Sequence, residues 1–302
     1  MADAHVLQPR DWTARAAAHA ERADALTAAQ RRRAAAGESH PVWDFLFSYY
    51  SLRPRQLRVW HPGYGTALGG GRAAEYLDRA GYIATADGVT IDPGYLDSRI
   101  PTVRFVAALL TATSARTPQF GCFALHEWAM VYRAGERRHQ AVPLRLGPAG
   151  TDAVVEAGEL RCTHFDAYRF FTEAAVNRNQ KRLTRTAQAD SEQPGCLHAN
   201  MDLYKWCYKL GPLVESTLLL DCLDLAFDAR RLDMQASPYD LRGYGLDPIT
   251  VEEPGGRAEY TRRQTGIVER AAPLRAALLE RCERLLAAPT DRIATRSGRQ
   301  GQ

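Results

Sequence analysis

The sequence predicts a mainly α fold of the α+β type, with a single helical domain and a small antiparallel sheet or hairpins. The first observation behind this prediction is helical spacing of apolar side chains over several long stretches rich in Ala, Leu and Arg. The second is that strand-like segments are short and lie in the middle of the chain. The third is that no internal repeat or long linker divides the 302 residues, which suffice for a full core.

The N-terminal segment predicts a long helix that packs lightly on the rest of the protein. Residues 11–36 are rich in Ala and Arg, so the helix is only weakly amphipathic and docks through Trp12 and Leu26. Gly37 is a suitable C-terminal cap. We therefore expect an N-terminal helical arm at 1–38, one globular domain at 39–289 and a disordered tail at 290–302.

The middle of the chain predicts shorter elements. Gly69–Gly71 opens a helix, and no strand-like segment lies ahead of these glycines. The other elements are expected, in chain order, as a short helix at 43–50, a hairpin around Asp87 and Gly88, helices at 101–116 and 118–133, and two strands around Gly147 and Gly150. The rest is helical, at about 196–210, 212–233 and 257–287.

Composition narrows the class of protein. The net charge of +4 permits binding to nucleic acid without requiring it. Six cysteines without a Cys-x-x-Cys, behind an N-terminus with no apolar leader, predict reduced thiols and a cytoplasmic location. The most apolar run, STLLLDCLDLAF, is short and holds two aspartates, so no membrane segment is expected. Nicotinamide and ATP chemistry are disfavoured, because neither a Gly-rich dinucleotide motif after a predicted strand nor a P-loop occurs.

The stretch PGCLHANMDLYKWCYKL contains a polar stripe. On a helix, His198, Asp202, Lys205 and Lys209 lie within roughly 60° of one another. In one interpretation this stripe lines a cleft, where Asp202 orients His198 and Lys205 meets a phosphate or an acidic partner. In the other it is a solvated helix face with an Asp–Lys pair.

The helix predicted at 212–233 holds two aspartates in an apolar stretch. Asp221 and Asp224 are three residues apart and therefore share a face. Burial of a carboxylate is costly unless it is paired or bound to a cation. The two aspartates are therefore candidates either for function or for a buried salt bridge with an arginine.

Short patterns of His, Cys and acidic residues indicate a possible metal site. CTHFD supplies His164 and Asp166, CLHANMD supplies His198 and Asp202, and a His-Glu pair lies at 126–127. Imidazole and carboxylate groups are ordinary ligands of transition metals. No His-Glu-x-x-His motif or Cys-rich zinc spacing is present, so the ligands would have to converge from separate elements.

Several segments together resemble a bacterial family, frequent in actinobacteria, that is commonly labelled 3-methyladenine DNA glycosylase. They are FSYYSLRPRQLRVWHPGYG, CFALHEWAMVYR, LRCTHFDAYRFFTEAA, EQPGCLHANMDLYKWCYKL and LDMQASPYDL, spread over about residues 40–280. The resemblance implies double-stranded DNA with alkylated bases as partner and no cofactor. An alkylated adenine would be flipped out, stacked on an aromatic ring and released with the help of a carboxylate that activates water.

That resemblance implies roles for specific side chains. The base would stack on Trp128, Tyr204 or Trp206. The carboxylate would be Asp202, Asp221 or Asp166. Phosphates would be held by Arg53, Arg55, Arg58, Lys205 and Lys209.

Two hypotheses from other classes stay open. One is a non-catalytic nucleic-acid or protein-binding protein that uses the arginine-rich and aromatic segment 43–64 as its interface. The other is an enzyme that uses a transition metal on a small molecule or nucleotide, with ligands drawn from His126, Glu127, His164, Asp166, His198 and Asp202.

Overall fold

The computed structural model describes residues 5–135 and 142–289, and five long helices form its body. The predicted tail at 290–302 lies outside the described residues. The mainly α prediction is confirmed. In chain order the long helices are α1 (Pro9–Ala35), α4 (Pro93–Ser114), α10 (Leu197–Leu210), α11 (Ser216–Gln235) and α12 (Pro254–Ala287).

Shorter helices connect these five. They are α2 (Phe45–Ser48), α3 (Pro54–Leu57), α5 (Leu125–Ala129), α6 (Gly147–Ala157), α7 (Phe165–Tyr168), α8 (Glu173–Val176) and α9 (Gln188–Ser191). Short 3₁₀ helices lie at Gly71–Tyr76, Gly211–Leu213 and Arg242–Tyr244.

The sheet is small and mixed rather than purely antiparallel. Its strands are β1 (His5–Leu7), β2 (Thr66–Leu68), β3 (Tyr82–Thr85) and β4 (Gly88–Ile91), arranged in the order β1-β2-β4-β3. The hairpin of β3 and β4 around Asp87 and Gly88 is confirmed, whereas β1 pairs with β2 in parallel. The expectation that no strand lies ahead of Gly69–Gly71 is wrong, because β2 ends at Leu68. Strands of three residues are too short to display alternation, so β1 and β2 were not predictable.

Helix α10 is the centre of the fold. It packs against α4, α11 and α12, and its side chains at Leu203, Tyr204 and Leu210 are fully buried. Its C-terminus is Gly211, whose φ of +60° lies in the region that favours glycine. Since α10 is covered on several sides, polar side chains that it carries inward must find partners within the protein.

The N-terminal helix packs as expected at its start. The Trp12 ring is 1% exposed and its Nε1 donates to the carbonyl oxygen of Gly69 at 3.0 Å, while Leu26 is half-buried. No helix among residues 5–135 and 142–289 is long and apolar enough to cross a membrane.

Two predictions in the middle of the chain are wrong, and one needs new bounds. The segment around Gly147 and Gly150 is helix α6 rather than two strands, because Pro148 occupies the first turn, where its missing N–H costs nothing. Of the helix expected at 118–133, only Leu125–Ala129 forms, because Phe123 and Ala124 have positive φ. Helix α4 begins at Pro93, eight residues before the predicted start, where the Asp92 carboxylate caps the N–H of Gly94.

Candidate functional site

Polar side chains from several elements converge beside the N-terminal half of α10. The turn before this helix is packed closely on a neighbouring loop, since a Cβ on Gly195 would lie 2.3 Å from the carbonyl oxygen of Gln119. The chain therefore enters α10 in a fixed position. The ionisable members of the cluster, each at most 9% exposed, are His126, Glu127, His164, Asp166, Glu192, His198, Asp202, Arg230 and Asp233.

The first group in this cluster consists of His126, Glu127, His198 and Asp233. One ligand atom from each of these side chains lies within 4.8 Å of all the others. Nε2 of His126 is 3.0 Å from Oδ1 of Asp233, yet neither atom has a hydrogen bond within the described chain. Nδ1 of the same ring faces the sulfur of Cys122 at 3.2 Å. Two buried polar atoms thus approach closely without the alignment of a hydrogen bond.

This close approach fits two atoms that share a metal ion. Ligands about 2.1 Å from an ion lie about 3.0 Å apart at a right angle and about 3.4 Å apart at the tetrahedral angle. The separation of 3.0 Å between His126 and Asp233 therefore matches neighbouring positions of an octahedron. Burial alone would lower the pKa of His126, but the Asp233 carboxylate raises it overall, so without a metal the proton is the cation at this place.

Arg230 supports both carboxylates of the first group. Its Nη1 donates to Oε1 of Glu127 at 3.0 Å and to Oδ2 of Asp233 at 3.3 Å. Arg230 donates to Oδ2 of Asp233, so the other carboxylate oxygen, Oδ1, remains facing His126. The guanidinium lies 4.1 Å from the centre of the Phe45 ring. Arg230 therefore orients the acids from outside the group, as partners of metal ligands commonly do.

His198 links the first group to the second. Its ring contacts the rings of His126 and His164, with centroids 4.5 and 5.3 Å away. Burial and the neighbouring His126 lower the pKa of His198, so its imidazole is neutral. A neutral imidazole has the lone pair that metal coordination requires.

The second group consists of His164, Glu192 and Asp202. Nε2 of His164 lies 3.2 Å from Oδ2 of Asp202 and 3.4 Å from Oε1 of Glu192. Lys205 Nζ donates to the same Asp202 oxygen at 2.6 Å and to Oδ2 of Asp166 at 2.8 Å. Burial opposes ionisation of Asp202, but Lys205 and His164 hold its pKa well below the usual range. The cation beside this group is therefore an ammonium, whereas the cation beside the first group is the guanidinium of Arg230.

A cavity of about 100 Å³ borders the first group. Its walls include four aromatic side chains, those of Phe45, Tyr49, Phe170 and Tyr239. Its polar lining is supplied by Glu127, Asp166, His198 and Arg230. Glu127 and His198 are the two members of the first group that reach this space, so a bound molecule would meet the centre there.

A larger cavity lies elsewhere. It measures about 620 Å³ and is bordered by α1, the chain before β2 and the C-terminal part of α12. Four arginines line it, at Arg15, Arg22, Arg281 and Arg284. None of the side chains of the two His–carboxylate groups reaches it, so its size does not make it the catalytic candidate.

The polar stripe predicted on α10 is divided by the structure. His198, Asp202 and Lys205 lie in the cluster, whereas Lys209 is exposed to solvent. The expected burial of Asp221 and Asp224 is wrong. Their side chains are 38% and 53% exposed and pair with arginines at the surface, at Arg22 and Arg270. The predicted pairing of these aspartates with arginines is confirmed, whereas the prediction that the salt bridges are buried is wrong.

The predicted aromatic stacking residues are core residues. Trp128 and Tyr204 have no exposed surface, and Trp206 packs on Phe105 with 6% exposure. None of the three lines the cavity of 100 Å³. The predicted phosphate-binding arginines Arg53, Arg55 and Arg58 are exposed near α3, away from the cluster.

Three members of the cluster were missed by sequence reasoning. Asp233 and Arg230 lie one turn apart in ARRLDM on α11, and Glu192 follows α9 in a stretch for which no helix or strand was predicted. The i, i+3 spacing of Arg230 and Asp233 was a usable signal. Apolar residues lie on nearly all sides of this helix, so the sequence pattern does not show which acid faces the interior.

Comparisons of this chain with protein-family models, with curated proteins and with solved structures find no match. The function is therefore argued from the chemistry of the site.

Proposed function

We propose that this protein is a metal-dependent enzyme acting on a small molecule, with His126, Glu127, His198 and Asp233 as the metal ligands. The proposal rests on one observation above all, the convergence of one ligand atom from each of these four buried side chains to within 4.8 Å of one another. Two imidazoles and two carboxylates are a donor set for iron, manganese or zinc. The separation of 3.0 Å between His126 Nε2 and Asp233 Oδ1 would suit neighbouring ligands of a six-coordinate ion, and we therefore expect iron or manganese.

The charge of the interior supports a cation at this place. The five buried carboxylates of the cluster are met by two permanently charged side chains of the described chain, Lys205 and Arg230. Without a metal, the rest of their charge is balanced by protons on His126 and His164, whose pKa values the neighbouring carboxylates raise. Other arginines reach the cluster only at Asp166, from the surface. Uncompensated buried charge is costly, so a divalent ion in the first group would take over this balance from the proton on His126.

The cavity limits the substrate. A cavity of 150 Å³ is known to hold benzene, which has six carbon atoms. The cavity here is smaller, at about 100 Å³, and opens to solvent, so the part of the substrate that lies inside it is small. Aromatic walls exclude water and position the molecule, and Glu127 and His198 present the metal to it. A metal bound there would supply Lewis-acid or redox chemistry.

Elemental analysis of the untagged protein by inductively coupled plasma mass spectrometry tests the metal centre. We expect about one bound iron or manganese ion per chain in wild type. The bound metal should fall by at least about tenfold in His126→Ala and in Asp233→Asn. His5→Ala is the matched control, because His5 is exposed and lies on β1. A wild-type protein that holds no metal even after anaerobic reconstitution with Fe(II) and Mn(II) would refute the proposal.

DNA glycosylase activity is the second candidate. Its support is the meeting of aromatic walls with the carboxylates of Glu127 and Asp166 at the cavity, which suits a cationic base. Two features weigh against it: a purine exceeds the cavity, and Asp202 is enclosed by Tyr50, His164 and Lys205. Release of 3-methyladenine from alkylated DNA, lost in Asp166→Asn and absent from heat-treated protein, would establish it. The DNA partner belongs to this candidate. A cytoplasmic location is a separate proposal, supported by the six cysteines, all of which are free.

The binding-protein hypothesis receives less support. The aromatic side chains of segment 43–64 that were expected to form an interface are largely internal, with Phe47, Tyr50 and Trp60 at most 7% exposed. The exposed residues of this segment are three arginines and three small or polar residues, Ser48, Ser51, Arg53, Arg55, Gln56 and Arg58.

A further inference from the structure

We propose that the ammonium group of Lys205 replaces a second metal ion, so that the centre is mononuclear, and that removal of Lys205 opens a second metal site formed by His164, Glu192 and Asp202. This inference rests on the proposed metal centre in the first group. It explains why an ammonium group lies beside the second His–carboxylate group and not beside the first.

The second group has the composition of a metal site. One ligand atom from each of His164, Glu192 and Asp202 lies within 4.8 Å of the other two, as in the first group. All three side chains are at most 2% exposed. An imidazole with two carboxylates is a common donor set for divalent iron and manganese.

The Lys205 ammonium binds the carboxylate oxygen through which Asp202 would hold such an ion. Its Nζ is 2.6 Å from Oδ2 of Asp202, the oxygen that also faces Nε2 of His164 at 3.2 Å. A divalent ion bound to that oxygen would lie within a few ångströms of the ammonium and be repelled by it. One cation, and not two, therefore fits beside Asp202.

Lys205 is held firmly in this position. A second carboxylate, Asp166, accepts from Nζ at 2.8 Å, and the ring of Trp206 lies 4.5 Å from Nζ. The side chain is 12% exposed, and its two acceptors are 1% and 7% exposed. An ammonium has three donors and can serve two acids at once. The first group has no such ammonium, since Arg230 approaches its acids from the side away from His126.

Metal stoichiometry measures the difference. Wild type and variants are reconstituted anaerobically with a tenfold excess of Mn(II), desalted and analysed for manganese per chain. We expect about one equivalent in wild type and about two in Lys205→Ala. Lys209→Ala is the matched control, because Lys209 lies on the same helix and is exposed, and it should keep one equivalent. Adding His164→Ala to Lys205→Ala should remove the second equivalent again.

The outcomes separate the two proposals. One equivalent in both wild type and Lys205→Ala overturns this inference and leaves the proposed metal centre intact. No metal in wild type refutes the metal centre itself. Two equivalents in wild type also overturn the inference, and this result does not depend on whether the variant folds. Manganese electron paramagnetic resonance adds a second readout, since spin coupling between two ions is expected in Lys205→Ala alone.

Discussion

Replacement of Arg230 by alanine tests whether the first group depends on its buried cation. The guanidinium is 2% exposed and pairs with Glu127 and Asp233, whose side chains are 7% and 0% exposed. Removing one partner of a buried ion pair costs about 3–5 kcal/mol, because the remaining charge stays in the interior. Loss of the contact with the Phe45 ring adds about 1 kcal/mol. We therefore expect Arg230→Ala to lower the free energy of unfolding by about 4–6 kcal/mol.

Thermal unfolding followed by circular dichroism, with a chelator present, measures this loss. For a chain of this size, 1 kcal/mol corresponds to roughly 2 °C, so the midpoint should fall by about 8–12 °C. Arg231→Ala is the matched control, since Arg231 is the next residue on α11, is exposed and lies over the Trp43 ring. It should lower the midpoint by less than about 2 °C. Equal shifts in the two variants would show that the buried pair is not what holds the acids in place.

Three further predictions concern residues of the cluster, the surface and the core. In metal-free protein, the pKa of His126 is raised, so its protonated ring stabilises the folded state. This contribution is complete below about pH 6.5, the pKa of an unperturbed histidine, and is lost as the pH rises through the raised pKa. The stability difference between wild type and His126→Gln should therefore shrink from pH 6 to pH 9, and a difference that grows would contradict the pairing with Asp233. Asp221→Asn should cost less than about 1 kcal/mol in denaturant unfolding, because its pair with Arg22 is half-exposed. Trp128→Phe should cost about 2–4 kcal/mol without changing metal content, and a neutral result would exclude its assignment to the core.

The long helices were predictable because their periodicity extends over many turns. Helix α10 has the predicted bounds within one residue at its start, and its stripe led directly to His198, Asp202 and Lys205. The short elements were not predictable, because α6 is determined by Pro148 and by the packing of its neighbours rather than by a clear pattern.

The acids of α11 show why the cluster could be predicted only in part. Asp221 and Asp233 are twelve residues apart, which corresponds to a difference of about 120° around a helix. Both lie in a helix with apolar residues on most of its circumference, so composition does not distinguish them. Packing of α11 against α10 and α12 turns Asp233 inward and leaves Asp221 at the surface. Tertiary structure, not local sequence, selects the acid.

The identity of the residue at position 205 is open to a last test, because only three of the 39 basic side chains are lysines. A compact ammonium fits between Asp166 and Asp202 at 2.8 and 2.6 Å, whereas a guanidinium is planar, larger and directs its donors in a fixed fork. Lys205→Arg keeps the charge but overpacks the site, so we expect a loss of about 1–3 kcal/mol in denaturant unfolding. Lys209→Arg, at the exposed lysine one turn later, should be neutral. If both arginine variants are as stable as wild type, charge alone is sufficient at position 205, and the close fit of the ammonium is not needed for stability.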